Sequence, residues 1–285
     1  MWTPECFRLW KPCWLEMELH WLEQSVKDVP FGDEWLSANE RSRLAALHFS
    51  KRRNDWRLGR WTAKSVVAAY LGLPHEAKVL AGIEIRPAPT GAPEVFLREH
   101  PAPVAISLSH SQGIGLCAIT RARTGVGCDL ETVESRSPAF LTDYFTEAEQ
   151  DLVAGAPGGN RDTLLTLLWS SKESALKAMH CGLREDTRSL QVLPESLELR
   201  GREWRRLTVE HACGGNFTGW WRESGNLVRT ILVAAAENVT SLHAVSGTAR
   251  MHLSGVIHQE DLHERCSLAQ IEARLSQSVG HCLNE

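Results

Sequence analysis

Seven consecutive residues, GVGCDLE (125–131), place two carboxylates two positions apart at the end of an apolar run. Alternate side chains of a β-strand share a face, so on a strand Asp129 and Glu131 point the same way. Their repulsion is relieved best by a cation, and hard oxygen ligands suit Mg²⁺. A solvated strand end is the simpler alternative. A second group, WSSKESALKA (169–178), sets Trp169, Glu173 and Lys177 at i, i+4 and i+8, with Lys172 one position off that stripe. An exposed Glu–Lys pair on a helix has the same spacing. If Glu173 faces Asp129 and Glu131, however, three carboxylates and one or two lysines converge. Such a set can hold a divalent cation against phosphate oxygens while lysine neutralises departing charge.

Two further groups could handle phosphate. In SLSHS (107–111), His110 ends an alternating run before a turn, either as a structural histidine or as a donor to phosphate. Residues 41–64 hold eight Lys or Arg against one Asp. Phosphate is the usual ligand of such a surface, and a solvated helix face is the alternative. The run is too short, and the net charge of −4 too acidic, for a nucleic-acid stripe. A small polyphosphate ligand fits better. There is no G-x-x-x-x-G-K-[ST] loop, no strand–G-x-G-x-x-G–helix unit and no G-x-S-x-G.

The elements that must position these residues are legible in outline. A strand is expected over 17–24. Ser37 and Glu40 form a capping-box signature, from which a long helix runs to about Leu71. Residues 82–103 are rich in Pro and Gly and read as turns and short extended pieces. Strands follow at 104–110 and 113–120. Thr146 and Glu149 make a second capping box, 154–160 breaks the chain, and a strong helix spans about 161–180. Strands are expected near 190–200, 204–212, 217–223 and 227–236, and a last helix within 259–276. Each half carries a long helix and several strands, although no repeated sequence is evident.

The 285 residues suit one large domain or two moderate ones. Apolar residues at 43% and charged residues at 23% are ordinary for a soluble protein. No apolar run approaches the roughly 18 residues of a membrane span. The N-terminal stretch carries Glu5, Glu16 and Glu18, so no signal peptide is expected, and a cytoplasmic protein follows. The eight cysteines form no C-x-x-C pair and read as thiols. The eleven tryptophans, Trp220 and Trp221 among them, read as core.

Together the motifs resemble those of the 4′-phosphopantetheinyl transferases. GCDLE (127–131) is similar to the family's G-[IV]-D-[IVL]-E, and WSSKESALKA to its W-x-x-K-E-x-x-x-K-A. SLSHS resembles the S-H motif of the larger, two-lobed Sfp-type members. KRRNDWRLGRWTAK (51–64) resembles their N-terminal helix, and PTGAP (89–93) their G-K-P loop. The match covers roughly residues 17–236. It implies an α+β fold of two similar lobes related by pseudo-twofold symmetry, with an N-terminal lobe at 1–122, a C-terminal lobe at 123–238 and an extension at 239–285.

The resemblance also implies a reaction. The phosphopantetheine arm of coenzyme A moves to a serine of an apo carrier protein, which is holo-[acyl-carrier-protein] synthase activity, and adenosine 3′,5′-bisphosphate leaves. Asp129, Glu131 and Glu173 would hold Mg²⁺, or Mn²⁺. Glu173 would help take the serine proton, and Lys177 would neutralise charge on the phosphate. Lys51, Arg52, Arg86, Ser109, His110 and Lys172 match coenzyme-binding positions. A monomer that binds neither nucleic acid nor membrane is expected. Three positions depart from the pattern: Cys128 replaces Ile or Val, Ala92 stands where Lys is common, and His180 and Cys181 replace a Gly-containing turn. The small trimeric type is excluded by length. The rival readings are a non-catalytic coenzyme A or nucleotide binder that keeps the fold, and a basic helical nucleic-acid module.

Overall fold

The computed structural model describes residues 18–196, 203–234 and 241–245. The first half runs β1 (Glu18–Ser25), α1 (Ala38–Ala45), α2 (Ser50–Tyr70), α3 (Ala77–Ala81), β2 (Ile83–Pro87), β3 (Pro93–Leu97), β4 (His100–Pro101), β5 (Val104–Ser111) and β6 (Ile114–Arg121). The second runs β7 (Val126–Thr132), α4 (Pro138–Tyr144), α5 (Glu147–Ala154), α6 (Arg161–Ala178), β8 (Leu190–Pro194), β9 (Arg205–His211), β10 (Asn216–Ser224) and β11 (Leu227–Ala234). A short β12 (Ser241–Ala244) then returns to the first half, parallel to β1. The expected helix within 259–276 lies outside the described residues.

The fold is α+β, and its halves repeat. The second sheet has the order β7-β11-β10-β9-β8, antiparallel throughout. The first half has the corresponding order β1-β6-β5 and then β3-β2, but split into two sheets, with β12 added beside β1. One long helix serves each half: α2 packs on β1 and β6, and α6 on β7 and β11. The two halves lie within one unit that ends at Gly247. Where they meet, Leu19, Leu116 and Ala118 pack with Val126, Cys128, Leu130, Trp220, Ile231 and Val233.

A buried ion pair also recurs. In each half the capping-box glutamate does more than close a helix start. Glu40 receives the Ser37 N–H through Oε2, accepts the Ile85 N–H at the edge of β2 through Oε1, and pairs with Lys64. Glu149 repeats the arrangement with Thr146, Val192 of β8 and Lys172. Each ammonium donates to two carbonyls, Trp35 and Leu80 for Lys64, Thr187 and Leu190 for Lys172. All four charged groups are buried. Burial pulls both lysines below their ordinary pKa, and the glutamates oppose it. The matching signal is a pair of W-x-x-K stretches, Trp61–Lys64 and Trp169–Lys172, one in each long helix. This repeat was legible in the sequence and was missed because the intervening residues differ.

The single helix expected over 37–71 is two. α1 ends at Ala45, and the Arg53 guanidinium, from the first turns of α2, donates to the Leu44 and Leu47 carbonyls at that break. No Gly or Pro marks the gap, because a side chain from the next helix does the capping.

Breaking one of these ion pairs strands a buried charge. Lys64→Ala and Lys172→Ala are each expected to lower stability by about 3–5 kcal/mol, read from urea unfolding. A loss below about 1 kcal/mol for both would show that the pairs are not the braces described.

Candidate active site

Helix α6 lies on β7 at backbone distance, and glycine makes this possible. A Cβ on Gly127 would stand 1.7 Å from the Ser174 carbonyl oxygen, and one on Gly125 would stand 2.8 Å from that of Ala178. Small hydroxyl residues fill the remaining contact: the Ser170 and Ser174 hydroxyls lie 2.9 and 2.7 Å from the Thr230 hydroxyl on β11, directly across from Asp129. The close approach carries Glu173 and Lys177 to the end of β7.

The three expected carboxylates do converge there. One oxygen from each of Asp129, Glu131 and Glu173 lies within 4.8 Å of the other two. Asp129 is buried, and its Oδ1 takes the Lys177 ammonium at 2.7 Å and the Ser109 hydroxyl at 2.9 Å. Its Oδ2 is buried with no hydrogen-bond donor among the described residues. Burial, then repulsion from Asp129, pushes the Glu173 carboxyl up to about 7 and also raises Glu131. Burial disfavours the Lys177 ammonium, but Asp129, Cys128 and Glu173 together outweigh it and the pKa rises. Arg136 reaches Glu131 at 3.5 Å and Glu134 at 3.0 Å and lies over the Phe140 ring. This arrangement is strained by like charge. A proton on Glu173, hydrogen-bonded to Asp129, is one way to relieve it, and a divalent cation among three oxygens is the other. The unpartnered Oδ2 and the all-oxygen donor set fit such a cation.

A cleft of about 560 Å³ is lined by residues that include Lys51, Asp55, His110 and Ser111, and no residue of the carboxylate cluster lines it. Strand β5 connects the two: Ser109 reaches Asp129, His110 lines the cleft, and the Ser111 hydroxyl meets Thr132 at 3.0 Å. Lys51 pairs with Asp55 at 3.2 Å on the cleft wall, and Arg52 is exposed next to it.

Other expected binding residues are engaged elsewhere. Lys172 does not reach the acidic cluster. It is buried against Glu149, and its counterpart Lys64 holds the same place in a half with no such cluster among the described residues. Ser109 touches Asp129. Arg86 is held by Glu84 at 3.1 Å and by Glu99, stacks on Phe96, and is absent from the cleft lining. Much of the basic run at 41–64 is engaged within the protein, although Arg41, Arg43, Lys51 and Arg52 are exposed. Arg41 donates to Leu36, Arg53 to Leu44, Arg57 to the carbonyls of Pro30, Phe31 and Gly32, and Arg60 lies near Glu40. Spacing could not distinguish these arginines from phosphate ligands. The described cysteines, Cys117, Cys128, Cys181 and Cys213, are free thiols. Among the described residues, no helix is long and apolar enough to cross a membrane.

Residues 125–236, the span that carries all three carboxylates and Lys177, match the model of the 4′-phosphopantetheinyl transferase superfamily. Over 150 residues the chain is also 29% identical to the 4′-phosphopantetheinyl transferase HetI of Nostoc sp. strain PCC 7120. That match covers 52% of this chain and 61% of the relative's length.

The contact at Gly127 has a measurable consequence. Gly127→Ala forces α6 off β7, since the blocking atom is backbone. A stability loss of about 1–3 kcal/mol is expected, together with weaker divalent-cation binding as Glu173 moves away from Asp129. Unchanged cation affinity in a folded Gly127→Ala protein would show that the close approach does not set the cluster.

Proposed function

We propose that the protein transfers the 4′-phosphopantetheine arm of coenzyme A to a serine of an apo carrier protein and releases adenosine 3′,5′-bisphosphate. It would act as a two-lobed, Sfp-type enzyme. The observation that carries this reading is the convergence of Asp129, Glu131, Glu173 and Lys177, linked through β5 to a cleft containing Lys51 and His110.

The residues divide the work by charge. Asp129, Glu131 and Glu173 would hold Mg²⁺ or Mn²⁺. The ion, when bound, supplies positive charge to the pyrophosphate oxygens. Lys51 and His110, with Arg52 at the rim, would bind the nucleotide end of coenzyme A, its 3′-phosphate included. The serine hydroxyl attacks the phosphorus that bears the pantetheine arm. A new P–O bond forms, and the bond to the bisphosphate breaks. Glu173 would take the serine proton directly or through a water. Lys177 is held at the site by Asp129 and would neutralise the phosphate charge that develops. Positioning and charge stabilisation supply most of the catalysis in phosphoryl transfer.

The direct test is intact mass of a panel of apo carrier proteins after incubation with coenzyme A and Mg²⁺. One phosphopantetheine per carrier is expected, and no gain with any carrier would reject the activity. Lys177→Ala is expected to lower kcat on the order of a hundredfold with a smaller change in KM. Near-wild-type kcat would remove Lys177 from the chemistry.

A further inference from the structure

Ser109 stands where the two halves meet, and its hydroxyl has two partners. It donates to Asp129 Oδ1 at 2.9 Å and accepts the Leu130 N–H at 3.2 Å. Lys177 lies 2.7 Å from that same Oδ1. One oxygen of Asp129 is therefore held from two sides, while the other is buried with no donor among the described residues. A carboxylate anchored in this way cannot rotate to exchange its oxygens without breaking both contacts.

Strand alternation gives Ser109 two siblings on the same face of β5. The Ser107 hydroxyl accepts the Cys128 N–H at 2.9 Å, and the Ser111 hydroxyl meets that of Thr132 at 3.0 Å. All three bridge β5 to β7, but the partners of Ser107 and Ser111 are a backbone N–H and a hydroxyl, whereas that of Ser109 includes a carboxylate. Loss of Ser107 or Ser111 loosens the seam. Loss of Ser109 also frees Asp129.

We propose that Ser109 is a positioning residue for the carboxylate cluster: with Lys177 it fixes Asp129 so that Oδ2 faces a divalent cation shared with Glu131 and Glu173. This rests on the reading of the cluster as a cation site. It differs from the coenzyme contact that the S-H resemblance implies for this serine. Groups that hydrogen-bond a metal-binding side chain are worth about 10- to 100-fold in metal affinity.

The test is Mn²⁺ titration of the substrate-free protein by electron paramagnetic resonance on wild type, Ser107→Ala, Ser109→Ala and Ser109→Thr. Affinity is expected to fall at least about tenfold in Ser109→Ala and to stay near wild type in Ser109→Thr. Ser107→Ala should lower Tm and leave the affinity unchanged. At saturating Mn²⁺, Ser109→Ala should prefer coenzyme A over dephospho-coenzyme A as wild type does. Wild-type Mn²⁺ affinity in Ser109→Ala, with that preference lost, would make the serine a phosphate contact and overturn the proposal. An equal loss of affinity in Ser107→Ala would assign the effect to the seam and overturn it as well. If wild type binds no Mn²⁺, the cation reading itself fails and the proposal falls with it.

Discussion

The distance between α6 and β7 governs the rest of the molecule. Two glycines let a helix backbone rest on a strand backbone, and no side chain could occupy the space between them. Glu173 reaches a buried aspartate only because of that contact. It also explains why the face of α6 toward the sheet carries Ser170 and Ser174 where leucines would pack more apolar area. Apolar burial on α6 comes from elsewhere along the helix, through Leu164, Leu165, Leu167, Leu168 and Leu176.

A like-charged cluster can persist there because the surroundings are over-determined. Beneath each long helix a buried glutamate ties a helix start, a strand edge and a lysine together. Among the described residues the first half has this brace without a carboxylate cluster: Ser65, hydrogen-bonded to His75, holds the place on α2 that Glu173 holds on α6. The comparison separates what supports the fold from what supports chemistry. Of the two lysines in the WSSKESALKA stretch, Lys172 belongs to the brace and Lys177 to the site.

Much of this was legible beforehand. Alternation placed Asp129 and Glu131 on one face, and i, i+4 spacing placed Glu173 with Lys177. Capping boxes located two helix starts. The outcome for the basic residues was different. Arg53, Arg57 and Arg60 look like phosphate ligands in the sequence but cap carbonyls or meet carboxylates, because long side chains reach partners that local spacing does not encode. Ser109 was hidden for a related reason. Its motif points to the coenzyme, and its contact with Asp129 depends on how the edge strands of two separate sheets meet. The break between α1 and α2 lacks Gly or Pro and is capped from nine residues away, so no local signal marked it.

The central claim is that Asp129, Glu131 and Glu173 form one cation site linked through β5 to a coenzyme cleft. Anomalous scattering from crystals grown with Mn²⁺ and coenzyme A tests it most directly. The account predicts a peak bounded by Asp129 Oδ2, Glu131 and Glu173, with the nucleotide end of the coenzyme near Lys51 and His110. Bound coenzyme with its pyrophosphate away from these carboxylates, or a manganese peak elsewhere on the molecule, would contradict it.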